Sequence, residues 1–163
     1  MKITALAGFI AVAAFAGLAI AHDGPSHKRA ERPAISTEEK PFGREGDPAR
    51  VTRTIKVDMS DKMRFSPTEL RIKTGETVRF EVKNAGKTMH EMVLGTMQDL
   101  KDHSELMRKH PGMEHEAPYM AHEPPGNTKR MVWQFTKPGE FYYGCLIAGH
   151  LEAGMVGKIV VAR

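Results

Sequence analysis

A single cysteine, Cys145, serves the whole 163-residue chain, so no internal disulfide can brace the fold. No block of basic residues is present either. Lysine and arginine are mixed among aspartate and glutamate, leaving a formal net charge of +4, and no basic run is interleaved with aromatics as a nucleic-acid platform requires. The expectation is no nucleic-acid partner, with the basic excess as a solvated surface. Large apolar residues are few from His22 to about Arg50, where Pro25, Pro33, Pro41 and Pro48 fall among charged side chains. Such a stretch cannot bury enough surface to offset its ordering entropy, and a disordered tail over residues 22–50 is expected.

What is present begins with an export signal. Met1-Lys2 precedes an uncharged apolar run from Ile3 to Ala21, and Ala19-Ile20-Ala21 fits the small-x-small rule for cleavage. A signal peptide over 1–21, cleaved after Ala21, is the favoured reading. An uncleaved anchor is the alternative, because the run is nearly long enough to span a bilayer. Cleavage predicts a periplasmic protein without stable membrane insertion. It also leaves a lone thiol in an oxidising compartment, open to oxidation or intermolecular pairing unless something protects it, and metal ligation does so.

Near the C-terminus, Cys145, His150 and Met155 stand in the order C-x4-H-x4-M. A thiolate, an imidazole and a thioether in one short loop suit copper, since sulfur favours Cu(I) while imidazole and thiolate together also hold Cu(II). A second histidine is required. His90 is the natural candidate, because it follows the strand-like segment from Thr77 to Asn84 and a short turn at Ala85-Gly86-Lys87. Taken singly, the cysteine reads as a small buried hydrophobe and the methionine as core filler, but three such accidents in ligand order are improbable together. Zinc is the chemical alternative, although it usually takes four strong ligands in a closed site, and one Cys, two His and a Met supply only three.

The chain from Val51 onward reads as short strands. Ile55, Val57 and Met59 alternate with Lys56 and Asp58. The same period of two places Leu70 with Ile72, Val78 with Phe80 and Val82, Met131 with Trp133 and Phe135, and Ile159 with Val161. Phe141, Tyr143 and Cys145 share a parity, which sends the thiol toward the same interior as the aromatics. Turn signals at Thr74-Gly75-Glu76 and Lys137-Pro138-Gly139-Glu140 separate the runs. Several short antiparallel strands of this kind argue for an all-β, two-sheet sandwich over residues 51–163. A short helical insert interrupts it: Thr96-Met97-Gln98-Asp99 resembles a capping box, and helix formers follow to His110 before Pro111-Gly112.

These residues resemble those of the cupredoxins, the small blue-copper proteins, and the C-x4-H-x4-M spacing is most similar to the rusticyanin branch. The resemblance implies a Greek-key β-sandwich over roughly Val51 to Arg163. It also implies a mononuclear type 1 copper site, with His90, Cys145 and His150 in a trigonal plane and Met155 as a weak axial ligand, a geometry suited to electron transfer. The chain departs from the family at three places. Glu91 stands where an Asn or Ser usually follows the first histidine, Leu146 follows the cysteine where Ser or Thr is common, and Met89 rather than Gly precedes His90.

Six of the eight histidines lie outside that plane. His103, His110, His115 and His122 fall in the insert beside Met97, Met107, Met113 and Met120, and on a helix His103, Met107 and His110 stand at i, i+4 and i+7. Additional copper held by this His/Met-rich insert is one reading. Packing of Met97, Leu100 and Met107 against the sandwich, with solvated histidines, is the other. His22, with His27 nearby, would offer an amine and an imidazole at a cleaved N-terminus. The chain resembles periplasmic cupredoxins associated with copper tolerance, which implies copper ions as partners and a role in binding or oxidising copper. A soluble electron carrier with a redox partner protein is the alternative. No His-x-His or His-Cys-His occurs, which argues against a multicopper oxidase.

Overall fold

Alternation of apolar and polar residues becomes two facing five-stranded sheets. The computed structural model describes residues 34–110 and 116–163. Its strands are β1 (Arg44–Glu45), β2 (Arg53–Ser60), β3 (Arg64–Ser66), β4 (Glu69–Lys73), β5 (Thr77–Asn84), β6 (His90–Gly95), β7 (Met120–Glu123), β8 (Thr128–Gln134), β9 (Gly139–Gly144) and β10 (Val156–Ala162), with the helix α1 (Met97–Lys109) between β6 and β7. One sheet has the order β1-β8-β5-β2-β3 and the other β4-β10-β9-β6-β7. The pairings are not all antiparallel as the strand pattern suggested: β2 runs parallel to β5, and β4 parallel to β10. Crossing connections between the sheets, which local periodicity does not encode, bring these pairs together.

The inward faces are those the alternation marks. Val57, Met59, Val78, Phe80, Val82, Met131 and Trp133 of the first sheet meet Leu70, Ile72, Phe141, Tyr143, Ile159 and Val161 of the second in one buried cluster. Cys145 belongs to it, as parity requires. The helix forms where expected. Thr96 accepts from the Asp99 amide, and Asp99 accepts from the Thr96 amide in return, which satisfies two donors at the open end of α1. Leu100 and Ser104 are its buried residues. Leu100 packs with Val93, Met120 and Leu146 in a second cluster that lies against the C-terminal loop.

The expected disordered tail over 22–50 is overturned for its described part. Glu45 pairs with Trp133 across β1 and β8, and Phe42 is buried. The Phe42 ring stacks on Trp133 with centroids 5.3 Å apart and meets Tyr119 edge-on at 5.6 Å. The Trp133 indole donates to the Phe42 carbonyl at 2.9 Å. One aromatic among polar and proline residues is enough to hold this segment, because it completes a pocket of rings and satisfies a buried N–H. His22 and His27 lie outside the described residues, as does the 1–21 segment. No helix among the described residues is long and apolar enough to cross a membrane.

Phe42→Ala is expected to cost about 3 kcal/mol, the usual loss for truncating a buried aromatic. Urea unfolding of the metal-free protein measures it. A loss below about 1 kcal/mol, the scale of an ordinary surface change, would mean that the segment contributes little to the domain.

Candidate metal centre

Cys145 follows the last residue of β9, and the loop after it folds back on itself. The His150 amide donates to the Ile147 carbonyl at 2.9 Å, the Met155 amide to the His150 carbonyl at 3.0 Å, and the Cys145 amide to the Met155 carbonyl at 3.1 Å. Gly149 and Gly154 adopt φ of +86° and +87°, a region that side chains disfavour, so each turn sits next to a residue of the C-x4-H-x4-M set. The main chain thus brings Cys145, His150 and Met155 to one place. Met155 is fully buried.

His90 arrives from the neighbouring strand of the same sheet, at the start of β6. Its turn is built by Asn84, whose amide nitrogen donates to the carbonyls of Thr88 and Glu123 at 2.7 Å each, while its oxygen accepts from the Gly86 amide at 2.9 Å. Nδ1 of His90 lies 4.0 Å from the Cys145 sulfur, and Nδ1 of His150 lies 3.2 Å from it. The donor atoms of the three residues fall within 4.8 Å of one another, the only such group among the described residues. His90 and Cys145 are fully buried and His150 is half-buried. One soft sulfur and two imidazole nitrogens, converging at the edge of the core, fit copper.

Both the thiol and the imidazole beside it are pushed by burial toward their neutral forms. Burial pushes the Cys145 thiol up to about 12, against amide hydrogen bonds that lower it. Burial, with His90 beside it, holds His150 below the ordinary imidazole value, so its ring is neutral at pH 7. The thiol proton must leave when a metal binds. The Glu91 amide, 3.5 Å from the sulfur, is placed to donate to the resulting thiolate.

Glu91, one of the departures from the family pattern, joins the two ligand loops. Its side chain is 1% exposed, and Oε1 accepts from the Leu146 amide at 2.8 Å. His122 stands opposite Glu91 in the β6–β7 register, with Nδ1 2.9 Å from Oε2. That contact is an ion pair by distance without hydrogen-bond alignment. The Glu91 carboxylate raises the His122 pKa, and burial opposes it. A carboxylate fits this buried position because a backbone amide faces one of its oxygens and an imidazole whose pKa it raises faces the other.

This reassigns part of the His/Met-rich insert. His122 is a partner of Glu91 on β7, and Met120 is fully buried core beside Leu100 and Leu146, so neither is an exposed copper ligand. His103 lines a cleft with Lys40, Phe42, Asp99, Asp102 and Tyr119. Met97 and Met107 are half-buried on α1 and His110 is exposed at its end, whereas Met113 and His115 lie outside the described residues. The pattern of the sequence did not mark Asp61. It lies in the β2–β3 turn with Oδ1 3.0 Å from His90 Nε2, and four hydrogen-bonding groups, led by the Lys87 amide and the His90 ring, hold its pKa well below the usual carboxylate range.

Two outcomes follow from these contacts. His122→Ala should cost about 2 kcal/mol near and just below the ordinary imidazole pKa, where the folded protein keeps His122 protonated, because it strips the Glu91 side chain of a partner. The loss should shrink as pH rises through the elevated His122 pKa, since the native pair itself weakens there. Adding Glu91→Gln should recover most of it, and urea unfolding across pH decides. Separately, apparent copper affinity should rise with pH, by up to about tenfold per unit for the thiol proton displaced. Competition titrations at several pH values measure that slope, and a flat profile would contradict thiolate ligation.

Comparison with known proteins agrees with the geometry. Residues 51–162 match the family of copper binding proteins described as plastocyanin/azurin. The copper-resistant cuproprotein CopI of Rubrivivax gelatinosus is 47% identical over 150 residues, covering 91% of each chain. The protein of that name from Pseudomonas aeruginosa is 32% identical over 149 residues, covering 74% of this chain and 82% of its own. Among solved structures, auracyanin B superposes with a TM-score of 0.61 at 19% identity, over 77% of this chain and 97% of its own. The reduced auracyanin of Roseiflexus castenholzii gives 0.59 at 19%, over 69% and 99%. Two facing sheets, a helical insert, a convergent His-Cys-His group and these matches lead to one conclusion: the chain belongs to the copper-binding plastocyanin/azurin family and has the cupredoxin fold.

Proposed function

We propose that this chain is an exported, periplasmic copper-binding cupredoxin that contributes to copper tolerance by binding or oxidising copper at a mononuclear type 1 site. The ligands would be His90, Cys145, His150 and, as the weak axial donor, Met155. The convergence of one buried thiol with two imidazole nitrogens, one from its own loop and one from the start of β6, carries this reading. The role in tolerance is supported by the 47% identity to a protein named as a copper-resistant cuproprotein. Export rests on the apolar run from Ile3 to Ala21 and the cleavage pattern that ends it.

Bound copper would supply a one-electron couple between Cu(II) and Cu(I). The chain's own residues determine how that couple is used. Cys145 gives up its proton and is sheltered from water and oxidants by the core around it, while the Glu91 amide solvates the sulfur. His90 is buried, and half-buried His150 would be the ligand nearest solvent, so electrons would pass to or from a redox partner over its edge. That exposed edge also supports the second reading, a soluble electron carrier. Stoichiometry separates the two, because a carrier needs one ion. Any accessory copper in the insert would draw on His103, Met107 and His110 of α1, with Met113 and His115 following it in the sequence.

The copper-loaded protein should show intense thiolate-to-copper absorption in the visible, and Cys145→Ser should abolish it. Copper titration with mass spectrometry should give more than one equivalent, and replacing the His and Met residues of 97–115 together should lower that number without changing the absorption. A band that survives in Cys145→Ser would overturn the site. A stoichiometry of one, with copper tolerance unaffected by gene deletion, would favour the carrier.

A further inference from the structure

We propose that Asp61 is a positioning residue for the metal centre: its carboxylate holds His90 in the tautomer that presents Nδ1 and biases bound copper toward Cu(II). The inference rests on the copper reading above.

His90 is fully buried, so its ring orientation depends on what its outer nitrogen meets. Asp61 Oδ1 lies 3.0 Å from that nitrogen, Nε2. The carboxylate is itself fixed on three further sides. Oδ2 accepts from the Lys87 amide at 2.8 Å, and Oδ1 accepts from the Thr88 amide at 3.3 Å and the Thr88 hydroxyl at 2.9 Å. An ionised carboxylate can only accept, so the facing Nε2 must carry the ring proton and Nδ1 must carry the lone pair. Nδ1 is the atom that faces the Cys145 sulfur. A turn between β2 and β3 therefore decides which nitrogen of a histidine on β6 can bind a metal.

Charge adds to orientation. No lysine or arginine side chain pairs with Asp61 among the described residues, so His90 is the only cationisable side chain its carboxylate contacts. A carboxylate hydrogen-bonded behind a ligating imidazole makes that imidazole a stronger donor. The stronger donor favours the ion of higher charge, Cu(II) over Cu(I). Glu91 serves a different purpose, since its oxygens face a backbone amide and His122.

Nitrogen-15 NMR of the metal-free wild-type protein should show His90 protonated at Nε2 and bare at Nδ1. In copper-loaded Asp61→Asn the visible band should persist, while the ratio of Cu(II) to Cu(I) affinity falls about tenfold, the lower end of effects for such partners. For a one-electron couple this is a rise of about 59 mV in reduction potential. Thr88→Val removes a neutral hydroxyl that touches the same carboxylate and lies 3.3 Å from His90 Nε2, and should shift the potential by less than Asp61→Asn does. An Nδ1–H tautomer in the wild type, an unchanged potential in Asp61→Asn, or an equal shift in Thr88→Val would each overturn the proposal. The wild-type tautomer decides even where Asp61→Asn does not fold. Absence of any visible band in copper-treated wild type would instead overturn the copper reading.

Discussion

The thiol of Cys145 has to be both buried and usable, and much of the copper end of the molecule answers to that requirement. Burial protects the sulfur from oxidation but makes its anion costly, which is why the pKa is pushed so far up in the absence of a metal. The surrounding residues lower the cost of the anion. The Glu91 and Ile147 amides do so by hydrogen bonding, while the imidazole nitrogens of His90, 55 residues away, and of His150, 5 residues on in the same loop, converge beside the sulfur as candidate metal donors. A sandwich suits the task because its loops gather at one end while the sheets hold them rigid.

Two carboxylates then set the loops against each other. Glu91 ties the loop of Cys145 to strand β6 through the Leu146 amide, and His122 answers its charge from the neighbouring strand. Asp61 ties the β2–β3 turn to the turn before β6 and meets the outer face of His90. An amide or hydroxyl side chain in place of Glu91 would need no counter-charge. The carboxylate does, and this explains why a histidine from the insert is committed to structure.

The insert and the N-terminal segment show how context changes a residue's role. Met120 and His122 belong by composition to a soft copper-binding cluster, yet β7 pairs with β6 and turns one into core and the other into a counter-ion. Phe42 sits in a stretch whose composition resembles a disordered tail. The Trp133 and Tyr119 rings nevertheless leave a place that only an aromatic from outside the main strands fills.

By itself the sequence marked most of the longer strands, the helix and the candidate donors, but not β1, β3, β6 or β7. Period-two alternation marks the buried faces of β2, β5, β8 and β10 because side chains of a strand must alternate between core and solvent. The capping box at Thr96 marks the start of α1 because orphan amides need acceptors. The C-x4-H-x4-M spacing marks the candidate metal loop because softness and order are local chemical properties. Tertiary structure alone decided the parallel pairing of β2 with β5, the partners of Glu91 and His122, and the reach of Asp61 to His90. Those are contacts between residues 25 to 55 positions apart, and no local pattern carries them. They depend on which turns the sheets bring within hydrogen-bond distance, a property of the assembled sandwich and not of any segment within it.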